Sequence, residues 1–133
     1  HEYAEACGLW AGVGVRLRQR QNVIRIYNRL PAKPLLPPQV LALARLGEAK
    51  MKDQLYGDGA ECFEEALALA PWWAQGYYNL AVLQAQLDWE KAISSMELYQ
   101  SLAVTPQEKA KAASLISEWK REWDEYKRKY PGG

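Results

Sequence analysis

Ala66-Leu67-Ala68-Leu69-Ala70-Pro71-Trp72-Trp73-Ala74-Gln75-Gly76-Tyr77-Tyr78-Asn79-Leu80-Ala81 decides the fold class. Phe63, Ala66, Leu67 and Ala70 return on one face of a 3.6-residue period, and Pro71 cannot continue a helix. A fresh run opens at about Ala74 and continues to Leu87, so two helices meet at an aromatic turn. Working outward, residues 39–56 are rich in Ala, Leu, Lys and Glu and read as an earlier helix, which Gly57-Asp58-Gly59 breaks before Ala60 begins the next. Downstream, Asp88 caps a fourth helix whose Ala92, Ile93, Met96 and Tyr99 share a face. Thr105-Pro106-Gln107-Glu108 is a capping box with proline at the first helical position, opening a fifth helix that runs to about Lys129.

Leu46-Gly47 and Leu80-Ala81 lie 34 residues apart, the period of a stacked helix-turn-helix unit. Around the first pair stand Leu43, Tyr56, Phe63, Ala66 and Pro71; around the second stand Tyr77, Trp89, Ala92, Met96 and Pro106. Small residues let paired helices approach, and large ones fill the space between them. On these residues the chain resembles the tetratricopeptide repeat family, bacterial members especially, over residues 40–106 as two repeats, with 106–129 resembling its terminal solvating helix. Lys50 and Gln84 depart from the aromatic residues that the family prefers, and Gly59 departs from alanine.

The resemblance implies a mainly α repeat domain, a superhelix of five helices, and the residues before it read as a short N-terminal β-hairpin. Residues 1–38 would form the hairpin and a proline-rich connector, and 39–133 the repeat domain with its capping helix. It implies protein–protein interaction, with Arg45, Glu48, Lys52, Tyr78, Asn79, Val82 and Gln86 lining a concave groove that receives a peptide or partner protein. Some relatives clamp a terminal carboxylate with Lys and Asn; Ala44 and Glu48 stand at such positions, so no clamp is expected. Leu46, Phe63, Leu80 and Met96 are expected to pack. Two repeats are fewer than the three or so that a stable array needs, so the hairpin and the last helix are expected to cover the ends of the stack.

The hairpin expectation rests on alternation over Trp10–Leu30: Val13, Val15 and Leu17 on one side, Arg16, Arg18 and Arg20 on the other, a turn at Gln21-Asn22, then Val23-Ile24-Arg25-Ile26-Tyr27. Gly8, Gly12 and Gly14 would each cost a helix about 1 kcal/mol. Residues 1–40 carry six basic and two acidic side chains (+4), and the remainder eleven and fourteen (−3), so the basic end suits an acidic partner. With a net charge of only +1, the face of Arg16, Arg18, Arg20, Arg25, Tyr27 and Arg29 reads as a solvated strand rather than a nucleic-acid surface.

Six tryptophans and eight tyrosines against one phenylalanine favour rings with one wet end. Trp119, Trp123, Tyr126 and Tyr130 recur at helical spacing on the last helix, a stripe that serves as core or as an interface. The alternative function is therefore a self-assembly or dimerisation module built on that helix and the basic hairpin.

Catalysis is not expected. The single histidine is residue 1, which reads as a tag remnant, so neither a catalytic triad nor a zinc site has its ligands, and Gly12-Val13-Gly14 lacks the rest of a nucleotide loop. The acidic pair Glu64-Glu65 sits on an exposed helix face. No cofactor is called for. Cys7 and Cys62 read as buried thiols, one disulfide being the alternative. No run approaches the roughly 18 apolar residues of a membrane span. The compartment stays open between cytoplasm and bacterial envelope.

Overall fold

The computed structural model describes residues 17–132. Among them are six helices and no strand: α1 (Leu17–Arg29), α2 (Pro38–Lys52), α3 (Tyr56–Leu69), α4 (Ala74–Gln84), α5 (Trp89–Leu102) and α6 (Pro106–Lys129). The chain is mainly α, and the expected N-terminal β-hairpin is overturned. Residues 1–16, which carry its first half and Cys7, lie outside the described residues.

Over 17–29 the helical period outweighs the alternation. Arg20, Val23 and Ile24 are buried and Tyr27 is packed against the core, a stripe at i, i+3, i+4 and i+7. The glycines that argued against a helix all precede this segment. Asn22 marks no turn; its side chain accepts from Arg25 Nη2 at 2.9 Å within α1. Arg18, Arg25 and Arg29 are exposed on this helix, whereas Arg20 is turned inward.

From α2 onward each helix packs on the next in sequence, α2 on α3, α3 on α4, α4 on α5 and α5 on α6, while α1 lies against α5. Val40, Ala44 and Gly47 form the buried stripe of α2. A Cβ at Gly47 would stand 2.7 Å from the fully buried Phe63 ring, so only glycine lets α2 lie this close to α3. The break between these helices is Asp53–Leu55 rather than the two glycines, with Gln54 at φ 62°. Gly57 and Gly59 lie inside α3, and a Cβ at Gly59 would stand 3.2 Å from the Gly47 carbonyl oxygen and 3.3 Å from Leu83.

Pro37 and Pro38 start α2, and Asp88 caps α5 by accepting from Glu90 N and Lys91 N. Thr105 opens α6 with the full capping box: Thr105 Oγ1 accepts from Glu108 N at 3.1 Å, and Glu108 Oε1 accepts from Thr105 N at 3.1 Å. The core runs continuously from Ile24 through Phe63, Leu67, Tyr77, Leu80, Met96 and Ile116 to Trp119, so α1 belongs to the body of the fold.

One expected packing residue is not packed. Leu80 is 0% exposed between its neighbours, but Leu46, 34 residues earlier, is 49% exposed. Among the described residues α1 packs chiefly against α5, and α3 is the only helix packed extensively on α2.

Gly47→Ala is expected to destabilise the fold by about 1–3 kcal/mol through overpacking. Gln54→Gly is expected to stabilise it by about 1 kcal/mol by relieving a left-handed residue. Urea unfolding monitored by circular dichroism checks both.

Candidate functional site

α4 is buried on most of its circumference: Gly76, Tyr77, Leu80, Ala81, Leu83 and Gln84 are all inaccessible. The stripe left reachable carries Gln75, Tyr78, Asn79 and Val82, spaced i, i+3, i+4 and i+7. Asn79 and Val82 are half-buried, and Gln75 Nε2 donates to Asn79 Oδ1 at 2.9 Å, which orients the amide. Gln86 is exposed but lies beyond the end of α4, in the turn to α5. On α2, Arg45, Glu48 and Lys52 are exposed on one face at i, i+3 and i+7. Among the described residues no hydrogen bond or ion pair joins these three to α4, although both helices flank α3.

Tyr78 is more committed than a free groove residue. Its ring meets Tyr99 edge-on at 5.1 Å between centroids, and the Lys111 ammonium stands over it at 5.1 Å. Contact with the Tyr78 hydroxyl holds the Lys111 ammonium above the ordinary lysine range. Burial, reinforced by Glu108, pushes the Tyr99 phenol up as well. These contacts tie α6 to the end of the α4 stripe.

The aromatic stripe of α6 is graded. Trp119 is 7% exposed and belongs to the core, Trp123 is half-buried, and Tyr126 and Tyr130 are 40% and 57% exposed. Trp89, from the first turn of α5, meets Trp123 at 5.8 Å and Tyr126 at 5.4 Å between centroids.

A cavity of about 630 Å3 lies on another side, walled by α1, α3, α5 and the turn between α4 and α5. Arg20 reaches Glu64 across it in an ion pair, and buried Ser95 Oγ donates to Gln84 Oε1 at 2.6 Å. Glu64 is thus engaged with α1, whereas Glu65 is exposed. Arg20 and Glu64, weighed in the sequence as part of a basic face and an acidic pair, line this cavity, and none of the expected groove residues does. The available signal was Gln84, a polar residue where the repeat resemblance asks for an aromatic ring. Buried Cys62 is a free thiol whose pKa burial raises. Among the described residues, no three His, Cys, Asp or Glu side chains are grouped to hold a metal ion, and no helix is long and apolar enough to cross a membrane.

No family model matches the chain, and no curated protein or solved structure matches it either.

Hydrogen bonds from the Thr105 backbone and side chain lower the Glu108 carboxyl below the ordinary glutamate range. A carboxyl lowered in the folded state stabilises above its unfolded pKa of about 4.3, and that contribution disappears as pH falls through the lower folded value. An NMR titration is expected to place the Glu108 midpoint below the ordinary glutamate value of about 4.3, and Thr105→Ala is expected to raise it toward that value.

Proposed function

We propose that this chain is a non-catalytic protein-binding module, a tetratricopeptide-type helical repeat that holds an extended peptide segment of a partner along α2 and α4. The observation that carries the reading is the α4 stripe. On a helix otherwise enclosed by its neighbours, the reachable strip presents an amide, a valine and a tyrosine edge. An amide offers a donor and an acceptor to a peptide backbone, Val82 adds apolar contact, and Arg45, Glu48 and Lys52 on α2 supply charges of both signs for choosing among partners. Gly47 and Ala81, 34 residues apart and both buried, supply the small residues of two successive helical hairpins, which supports the repeat reading.

Tyr78 packs against α5 and α6, so changing it would disturb the scaffold as well as the surface. Asn79 and Val82 give the cleaner test. Peptides selected from a random library against the chain are expected to lose about fivefold in affinity with Asn79→Ala, one hydrogen bond being worth about 1 kcal/mol. They are expected to lose more than about tenfold with Val82→Glu, which places a charge against the bound segment. Isothermal titration calorimetry reads both, with circular dichroism checking that the fold is intact. Selected peptides that bind both variants as tightly as the wild type would overturn the groove.

A further inference from the structure

The two ends of the helix stack are unlike each other. At one end α6 has 24 residues against 14 in α5, about 36 Å against about 21 Å at 1.5 Å per residue, so its last turns run past the helix it packs on. There Trp89, Trp123, Tyr126 and Tyr130 form one aromatic strip, the last step from Tyr126 to Tyr130 being 4.9 Å between centroids. The Lys127 ammonium stands over the Trp123 ring at 5.1 Å, and the two tyrosines remain open to solvent.

At the other end is the connector Pro31-Ala32-Lys33-Pro34-Leu35-Leu36-Pro37-Pro38, with proline at every third position from 31 to 37. Residues 33–37 have no regular hydrogen-bonded structure, and Pro37 has φ −61° and ψ 144°, in the polyproline II well. The segment is held in place. The Lys33 ammonium donates to the carbonyl oxygens of Tyr27 and Leu30 and stands over the Tyr27 ring at 4.6 Å, while Leu36 packs against the Val40 cluster. That anchoring leaves Leu35 91% exposed, beside an α2 whose Leu41 and Leu46 also face solvent.

We propose that the aromatic strip of Trp89, Trp123, Tyr126 and Tyr130 docks the 31–38 connector of a second copy of this chain, joining copies head to tail. A polyproline II helix advances about 3.1 Å per residue, so prolines three apart repeat at about 9 Å. Trp89, Tyr126 and Tyr130, with neighbouring ring centroids 5.4 and 4.9 Å apart, present several rings to a segment of that length. Proline has no N–H to strand against an aromatic surface, and the indole N–H and phenol O–H groups can donate to the connector's carbonyls. A segment already held extended loses little conformational freedom on docking. The occupant is a second copy because the connector is fastened within its own chain, by Lys33 to Tyr27 and Leu30 and by Leu36 to the Val40 cluster, and so is not free to reach that chain's own strip on α5 and α6. The contact is heterologous: each copy offers one strip and one connector, and association propagates into a ring or an open chain. This inference is independent of the α2–α4 face.

The test is sedimentation equilibrium over about 1 µM to about 1 mM, the range suited to a small and weak interface. The wild-type mass is expected to rise above that of a monomer with concentration. Leu35→Ser and the double change Tyr126→Ser with Tyr130→Ser are each expected to weaken association by at least about tenfold, with thermal unfolding unchanged. Should the double change lower the unfolding temperature, Tyr130→Ser alone replaces it. Mixed in equal amounts, the two variants are expected to form a dimer that goes no further, because one keeps the strip and the other the connector. A synthetic peptide of residues 29–39 is expected to compete with wild-type assembly, and the same peptide with Pro31 and Pro34 replaced by glycine is expected to fail. A wild type that stays monomeric throughout overturns the proposal. So does a dimer that survives Leu35→Ser, which would mean that strips pair with each other.

Discussion

The packing turns on one buried phenol. Tyr77 is completely inaccessible, and its hydroxyl donates to the Pro71 carbonyl oxygen at 2.7 Å. An unpaired hydroxyl there would cost about 1–3 kcal/mol, so this bond holds the turn that carries α3 into α4. Burial raises the Tyr77 pKa well above the ordinary phenol range, so the group remains a donor across the pH range in which proteins fold. The Arg20 guanidinium stands 5.7 Å from the Tyr77 ring centroid, and Arg20 also pairs with Glu64 on α3. One side chain therefore joins a local turn to the seating of a helix more than fifty positions away in sequence. Tyr27, stacked on Trp72 at 6.3 Å between centroids, makes a second link from α1 to the same turn.

That dependence explains which parts of the fold were legible in the sequence. α3, α4, α5 and α6 carry their apolar stripes and their stops in adjacent residues: Pro71, the Asp88 cap and the Thr105 capping box act within a turn or two. α1 was not legible as a helix, because alternation starting at Val13 and three glycines before residue 15 dominated the reading of a segment that begins only at Leu17. Its own evidence was the spacing of Arg20, Val23, Ile24 and Tyr27, with an arginine in a stripe that looked like surface. An arginine reads as solvated until its carboxylate and its ring are known, and both lie far along the chain. Gly57 and Gly59 misled in the same way. Glycine breaks an isolated helix, yet Gly59 is kept inside α3 because the Gly47 carbonyl and Leu83 crowd the position its Cβ would take.

The candidate binding face was legible in part. Asn79 and Val82 fall on the reachable strip of α4, where helical spacing placed them. Sequence could not tell that Tyr78 is drawn into contact with Tyr99 and Lys111, since that depends on where α6 lands. Nor could it tell that Leu46 and Leu80, identical residues at matching positions, differ in burial. Helical spacing specifies the side a residue faces, and the neighbouring element decides whether anything covers it. Among the described residues, the side of α2 away from α3 has no helix packed extensively on it.

The cavity beside α1 has Gln84 in its wall. Where an aromatic ring would fill the angle between α4 and α5, Gln84 fills less space and brings an amide that must be satisfied. Ser95 on α5 satisfies it at 2.6 Å, a pairing that keeps a second small polar residue at the site. Gly57 and Ala60 on α3 and Ser94 on α5 add little bulk, so the walls stand apart around about 630 Å3 of open space. Leu98 closes part of it, and Arg20 crosses it as an ion pair with Glu64 rather than filling it with apolar volume. α1 accordingly takes its seat from Val23 and Ile24, each worth roughly 1.5–3 kcal/mol when fully buried, together with the ion pair and ring contact of the buried Arg20. A polar substitution on α4 thus shapes the helix that covers it.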